Sequence, residues 1–169
     1  MDYKYYEGKI NDIILKCPIE AGVEILVYNL VDGFINYKEM ALVDINRIRK
    51  NSDERLTTDS GVPDIAILSD DFIFNTNSGN VWGFIEVKAT NQELYDGVQS
   101  FFHKKETSNY LYTNGLVWKY YKNCKLEWNV CLTTNGIDFQ SLPEKISISA
   151  ASFESLCNKL MRIKWKTTN

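Results

Sequence analysis

Apolar residues recur at helical spacing through the opening third of the chain. In CPIEAGVEILVYNLVDGF they fall three and four residues apart, and Gly33 follows as a stop signal. NDIILK, just upstream, has the same character. The next apolar run, EMALVDINRI, is rich in residues that favour strands. The pattern therefore predicts a helical opening third followed by a first strand.

Two strongly apolar runs stand near the middle of the chain. VPDIAIL and VWGFIEVKA are rich in β-branched and aromatic residues, which indicates a second and a third strand. The stretch NTNSGN between them carries turn-forming residues, so the two strands are expected to form a hairpin. The polar segment NSDERLTTDSG, which precedes them, predicts a mobile loop.

The remainder of the chain alternates between helix and strand patterns. NQELYDGVQSFFHKKE predicts an amphipathic helix. NYLYTNGLVWKYYK predicts two strands around Asn-Gly, a strong hairpin signal, and LEWNVCLTT predicts one more strand. SFESLCNKLMRIKWK predicts a further amphipathic helix with trailing basic residues. This order predicts a mixed central β-sheet flanked by helices, an α/β or α+β fold.

Composition narrows the class of protein. The 169 residues, 44% of them hydrophobic, are expected to form a single domain spanning residues 1–169. A formal net charge of −3 excludes a uniformly basic nucleic-acid-binding surface, although it allows a local basic cleft. No apolar stretch approaches the roughly 20 residues that span a bilayer, so no membrane association is expected. Neither GxxxxGK[ST] nor HExxH occurs, which excludes these nucleotide-binding and zinc-protease motifs.

The cysteines and the first residues bear on localisation. Four cysteines are scattered without a CxxC pair, which predicts reduced, buried thiols. MDYKYYEGK is charged and aromatic, unlike a signal peptide. A cytoplasmic protein is therefore expected.

Three charged residues interrupt the two central apolar runs. Glu86 and Lys88 are two positions apart and share a face of their strand. If the two runs pair, Asp64 lies beside Glu86. Neighbouring carboxylates repel each other and remain ionised most easily around a divalent cation, for which oxygen ligands favour Mg²⁺ or Mn²⁺. The plainer interpretation is a solvated Glu-x-Lys strand face after an ordinary Pro-Asp turn, but charged groups are rarely placed in such apolar strands unless they are paired or bind metal.

These residues carry a resemblance to a known family. VPDIAIL…GFIEVKA resembles the PD-(D/E)XK nuclease superfamily, with Asp64, Glu86 and Lys88 on the signature positions. GVQSFFHKKETSNYLYTNGLVWKYYK resembles the stretch after the signature in the N-terminal nuclease domain of type I restriction enzyme R subunits. On that match Gln99 takes the family's Gln position, whereas His103 stands where the family often has Tyr. The resemblance covers residues 20–121 and implies a restriction-endonuclease-like fold.

The superfamily usually places a glutamate on the helix before the first strand. Glu20 and Glu24 both fall in the corresponding stretch, IEAGVEILVYNL. Glu24 is preferred because it lies within the apolar run that would pack on the sheet. For Glu20, near the start of the helix, the helix dipole alone would account for an acidic residue.

The resemblance implies a Mg²⁺- or Mn²⁺-dependent DNA endonuclease that hydrolyses phosphodiester bonds, acting in restriction or in processing of phage or mobile-element DNA. Asp64, Glu86 and Glu24 would bind the metal, Lys88 would orient the attacking water, and Gln99 would complete the site. DNA is the expected partner, and the chain would act as a homodimer or within a larger restriction-type assembly. Two alternatives stay open: an inactive member that binds nucleic acid or protein, and a junction-resolving nuclease.

Overall fold

The computed structural model describes residues 1–48, 52–58, 61–95, 109–134 and 144–166. Within the described residues, helices and strands follow the order expected from the sequence, apart from the helix predicted after the third strand, most of which lies outside these ranges. Their bounds are α1 Tyr3–Lys16, α2 Glu20–Asp32, β1 Met40–Asp44, a 3₁₀ turn Glu54–Leu56, β2 Ile65–Ser69, β3 Val81–Val87, β4 Asn109–Thr113, β5 Val117–Lys122, β6 Lys125–Cys131 and α3 Ala150–Met161.

The strands of the described residues form one six-stranded sheet in the order β1-β2-β3-β4-β5-β6. Neighbouring strands are antiparallel, except that β3 and β4 run parallel. The hairpins expected around NTNSGN and around Asn-Gly both occur, as β2–β3 and β4–β5. A mixed sheet with helices beside it is an α+β fold consistent with the restriction-endonuclease-like class, so the fold prediction is confirmed.

Local sequence signals explain where the helices begin and end. The side chain of Asp2 accepts a hydrogen bond from the Tyr5 amide at 2.9 Å and caps α1. Gly33 follows the last residue of α2, as expected. Ser149 caps α3, its hydroxyl accepting from the Ser152 amide at 3.2 Å. Helix α3 ends at Met161, so the basic residues after it, predicted as helical, are not.

The two faces of the sheet carry separate hydrophobic clusters. The larger cluster joins apolar residues of α1, α2 and α3 to one face of the sheet, including Ile65, Ile85 and Val87. The smaller cluster lies on the other face and includes Ala66 and Phe84. Because successive side chains of a strand point to opposite faces, Glu86 lies on the face of Phe84 while Val87 packs under the helices.

The polar segment before β2 is more ordered than the sequence suggested. Asp53 and Leu56 are buried, at 7% and 2% exposure. The Arg55 guanidinium contacts Asp53 at 2.7 Å, donates to the Ile73 carbonyl at 2.9 Å and lies 4.0 Å from the Phe72 ring centre. Residues 52–58 thus contain a 3₁₀ turn, and a partly buried ion pair attaches this segment to the β2–β3 hairpin, whereas the sequence predicted a loop without regular structure.

Three further predictions can be compared with the structure. In the stretch predicted as a helix after β3, residues 91–95 are not helical, and the rest lies outside the described residues. The cysteines are free, as predicted, but Cys17 and Cys131 are exposed, so the prediction of burial is wrong for these two. Within the described ranges no helix is long and apolar enough to cross a bilayer.

Candidate metal centre and active site

The β2–β3 hairpin brings Asp64 next to Glu86. Ile65 pairs with Ile85 in the antiparallel register, so Asp64, one residue before β2, is level with Glu86. The Asp64 side chain turns inward, with the residue only 8% exposed, and its Oδ2 accepts a hydrogen bond from the Val87 amide at 2.7 Å. This hydrogen bond therefore fixes the orientation of the buried Asp64 carboxylate against β3.

Lys88 lies between carboxylates from two elements. Its Nζ is 2.6 Å from Glu86 Oε1 and 3.7 Å from Glu20 Oε2. The side chains of Lys88, Glu86 and Glu20 keep 28%, 31% and 39% of their surface exposed. The Lys88 side chain is thus partly exposed, while charge-assisted contacts hold its ammonium.

Both candidate glutamates of α2 reach the site. Oxygen atoms of Glu20, Glu24 and Asp64 all lie within 4.8 Å of one another. Residues four apart on a helix share one face, so the same face of α2 can present both glutamates to the sheet. The sequence favoured Glu24 over Glu20, whereas the structure brings both to Asp64.

The three-carboxylate group differs from the metal ligands expected from sequence. Asp64 and Glu24 belong to it, but Glu86 is engaged with Lys88. Glu24 Oε2 accepts a hydrogen bond from the side-chain Nδ2 of Asn46 at 2.6 Å. Gln99 and His103 lie outside the described residues.

Burial and crowding of negative charge perturb the acids of the site. Burial, reinforced by the charge of Glu86, raises the pKa of Asp64 to about 7. Burial and the nearby Glu20 and Asp44 carboxylates raise the pKa of Glu24. Burial acts to lower the pKa of Lys88, but the adjacent Glu86 outweighs it and the pKa is raised, so the lysine is charged. The site has more negative charge than Lys88 can balance.

Two polar residues at the site were missed by sequence reasoning. Asn46 holds Glu24, and its own Oδ1 is buried without a hydrogen-bond partner among the described residues. Tyr112 pairs with Glu86 across the parallel β3–β4 ladder and is 6% exposed. The Asn-Gly signal located the turn after Tyr112, but the sequence gives no sign of the parallel register that sets Tyr112 beside Glu86.

The donor atoms fit a hard divalent cation. Carboxylate oxygens from Glu20, Glu24 and Asp64 converge, which is the ligand chemistry of Mg²⁺ and Mn²⁺. A dication bound between them would favour the ionised form of Asp64, whose pKa is raised by burial and, to a smaller extent, by neighbouring carboxylates. These residues can therefore hold such an ion, with Lys88 beside it.

Comparison with known proteins gives a likeness of fold. No family model matches the chain, and no curated protein matches it. A chain of the DrdV–DNA complex, solved by cryo-electron microscopy, is similar to it with a TM-score of 0.57 and 13% sequence identity. The match covers 94% of this chain and 94% of that one. The two share their overall architecture across nearly their whole length.

Proposed function

We propose that this protein is a metal-dependent DNA endonuclease of the PD-(D/E)XK superfamily that resembles the nuclease domain of type I restriction subunits. The observation that carries the proposal is the convergence of Asp64, Glu20 and Glu24 beside the Lys88–Glu86 pair. The fold likeness to a chain of a DNA complex supports it. Residues 1–169 would form one such domain.

Mg²⁺ or Mn²⁺ is the proposed cofactor. Asp64, Glu24 and Glu20 would hold it, and Glu86 would join them or continue to orient Lys88. When bound, the ion would supply a Lewis acid that lowers the pKa of coordinated water and offsets charge on a phosphate. A buried carboxylate such as Asp64, fixed by the Val87 amide, would keep its place in the site with little reorganisation.

The proposed role of Lys88 follows from its positive charge and from the contact with Glu86 that holds its side chain. Its ammonium carries three donors, of which Glu86 engages one at 2.6 Å. Beyond this contact, the ammonium is proposed to orient a water or to contact a phosphate oxygen on which charge increases during hydrolysis. A preorganised cation stabilises that charge more in the transition state than in the ground state. Gln99 is proposed to complete the site.

The partner proposed for this site is DNA. The protein would act as a homodimer or within a larger restriction-type assembly, in restriction or in processing of phage or mobile-element DNA. Four carboxylates around one lysine would repel a phosphate backbone in the absence of metal. DNA binding at this site should therefore require a divalent cation. A protein that uses the fold only to bind DNA gains nothing from such a cluster, which favours the enzyme over the inactive alternative.

The direct test is incubation of the protein with supercoiled plasmid, linear and branched DNA. Each substrate is offered with Mg²⁺, with Mn²⁺ or with a chelator. We expect cleavage with either metal and none with chelator, and loss of cleavage in Asp64→Ala. Asp12→Ala, which changes an exposed carboxylate paired with Lys16 on α1, is the control and should cleave normally. Metal-dependent binding without cleavage of any substrate would contradict the proposal in favour of a binding module.

A further inference from the structure

The turn between β4 and β5 is unusually buried for a hairpin turn. Thr113 and Asn114 are both 0% exposed. Gly115 adopts a φ of +82°, and a Cβ at this position would lie 2.9 Å from Ile10 Cδ1. The Gly115 carbonyl accepts a hydrogen bond from the Tyr6 hydroxyl at 2.7 Å. The turn is therefore enclosed by α1 rather than exposed to solvent.

The side chain of Asn114 joins this turn to a distant segment. Its Oδ1 accepts hydrogen bonds from the amides of Leu116 and Val117, at 3.1 and 2.8 Å. These bonds alone would form an ordinary Asx-type turn. Its Nδ2, in addition, donates to the Gln92 carbonyl at 2.8 Å, across 22 positions of sequence. The Nδ2 donor of Asn114 thus makes a long-range hydrogen bond that the turn itself does not require.

Gln92 lies in the segment that directly follows the proposed catalytic lysine. The Lys88 amide donates to the Thr113 carbonyl at 2.8 Å, and the Gln92 amide donates to the Ala89 carbonyl at 3.0 Å. Residues 88–92 therefore form a turn whose two ends are attached to Thr113 and Asn114. We refer to residues 88–92 as the lysine turn.

The next residues of the chain are attached to the same part of the sheet. The ammonium of Lys119, on β5, donates to the Leu94 carbonyl at 2.8 Å. Leu94 packs in the smaller hydrophobic cluster. The segment from Lys88 to Leu94 is thus attached to β4, to β5 and to the turn between them.

We infer that Asn114 is a positioning residue that fixes Lys88 by fastening the lysine turn to the β4–β5 turn. The inference rests on the proposed function, because it concerns the lysine of that site. Lys88 lies one residue beyond the end of β3, where a chain readily frays. Deleting the donor of Asn114 would leave the far end of the lysine turn without this attachment. The ammonium would then sample positions away from the carboxylates.

Two substitutions separate this role from a general contribution to folding. At a pH where the introduced carboxyl group is ionised, Asn114→Asp keeps oxygen acceptors for the Leu116 and Val117 amides but has no donor for the Gln92 carbonyl. Asn114→Ala removes all three bonds. The Asp variant therefore tests the attachment even if the Ala variant does not fold.

A matched control comes from another buried asparagine. Asn11 is 6% exposed, and its side chain also makes three hydrogen bonds to main-chain atoms of Glu7 and Ile146. It lies on α1, and none of its bonds involves the lysine turn. Asn11→Ala should therefore lower stability without altering Lys88.

Two measurements decide the inference at a temperature where every variant is folded. We expect the Lys88 amide to exchange with solvent on the order of 10-fold faster in both Asn114 variants than in wild type. We also expect kcat to fall roughly 10-fold or more with KM little changed, because misplacement affects the transition state. Asn11→Ala should change neither quantity.

Each contrary result has a distinct meaning. Unchanged Lys88 exchange in the Asn114 variants, or equal acceleration by Asn11→Ala, would overturn the inference. Faster exchange with unchanged kcat in an active enzyme would overturn it as well, since the lysine would not need the attachment. If wild type cleaves no DNA, the proposed function fails, and the exchange comparison alone decides whether Asn114 holds Lys88.

Discussion

Replacing Asp64 by asparagine should stabilise the metal-free protein at neutral pH. Asp64 is 8% exposed, and its pKa is raised to about 7. A carboxyl group whose pKa is raised on folding stabilises the folded state fully below its unfolded pKa. That contribution is lost as the pH rises through the folded pKa. Asparagine keeps an oxygen for the Val87 amide and cannot ionise, so the variant should escape this loss.

The size of the effect follows from the pKa. The difference between the ordinary aspartate pKa of 3.8 and about 7 corresponds to about 4 kcal/mol if solvent is wholly excluded. Partial solvent access reduces this, and we expect Asp64→Asn to gain about 2 kcal/mol at pH 8. For a chain of this length that is a rise in Tm of roughly 4–8 °C. Near pH 4 the variant and wild type should be almost equally stable.

The assay is urea denaturation at pH 4, 6 and 8 in the presence of chelator. Asp53→Asn is the control, because its free energy of unfolding should change in the opposite direction. Asp53 is as buried as Asp64, at 7% exposure, but Arg55 holds its pKa at about 2. A lowered pKa stabilises the fold above the unfolded pKa, and this is lost as the pH falls towards 2. Asp53→Asn should therefore lose about 1 kcal/mol at pH 8 after allowance for solvent screening. If Asp64→Asn is also destabilised at pH 8, the ionised Asp64 carboxylate does not destabilise the metal-free fold, contrary to the prediction.

Three further predictions concern the acidic residues of the site. Calorimetric titration with Mn²⁺ should give binding to wild type that is absent from Asp64→Ala; equal binding would exclude Asp64 as a ligand. Glu86→Gln should abolish cleavage while changing the free energy of unfolding by less than about 1 kcal/mol, because the Glu86–Lys88 pair is partly exposed; a large fall in Tm would instead indicate a structural ion pair. Glu20→Gln and Glu24→Gln should each weaken Mn²⁺ binding in the same titration, because both reach Asp64, and a variant with wild-type affinity would exclude its residue.

The central geometry of the site could be predicted because it is local. Glu86 and Lys88 share a face by the alternation of one strand. Asp64 meets Glu86 because two consecutive strands pair around a recognisable turn. The choice between Glu20 and Glu24 could not be settled from sequence, because it depends on the rotation of α2 against the sheet.

Other features of the site depend on contacts between distant parts of the chain. Tyr112 reaches Glu86 through a parallel register whose connecting segment carries no register signal. The bond from Asn114 to Gln92 was hidden because Asn-Gly already had a sufficient explanation as a turn. Asp53 was assigned to a mobile loop because neighbouring polar residues concealed the partly buried ion pair with Arg55.

The most direct test of the account measures cleavage rate and affinity on one labelled duplex for wild type, Lys88→Ala and Lys16→Ala. Lys16 is the matched control, because its ammonium also lies 2.6 Å from a carboxylate, that of Asp12, but on the exposed surface of α1. We predict that Lys88→Ala lowers the single-turnover rate on the order of 10²-fold or more. Its DNA affinity should change far less, and Lys16→Ala should change neither quantity. Metal-dependent cleavage at the wild-type rate by Lys88→Ala would contradict the account.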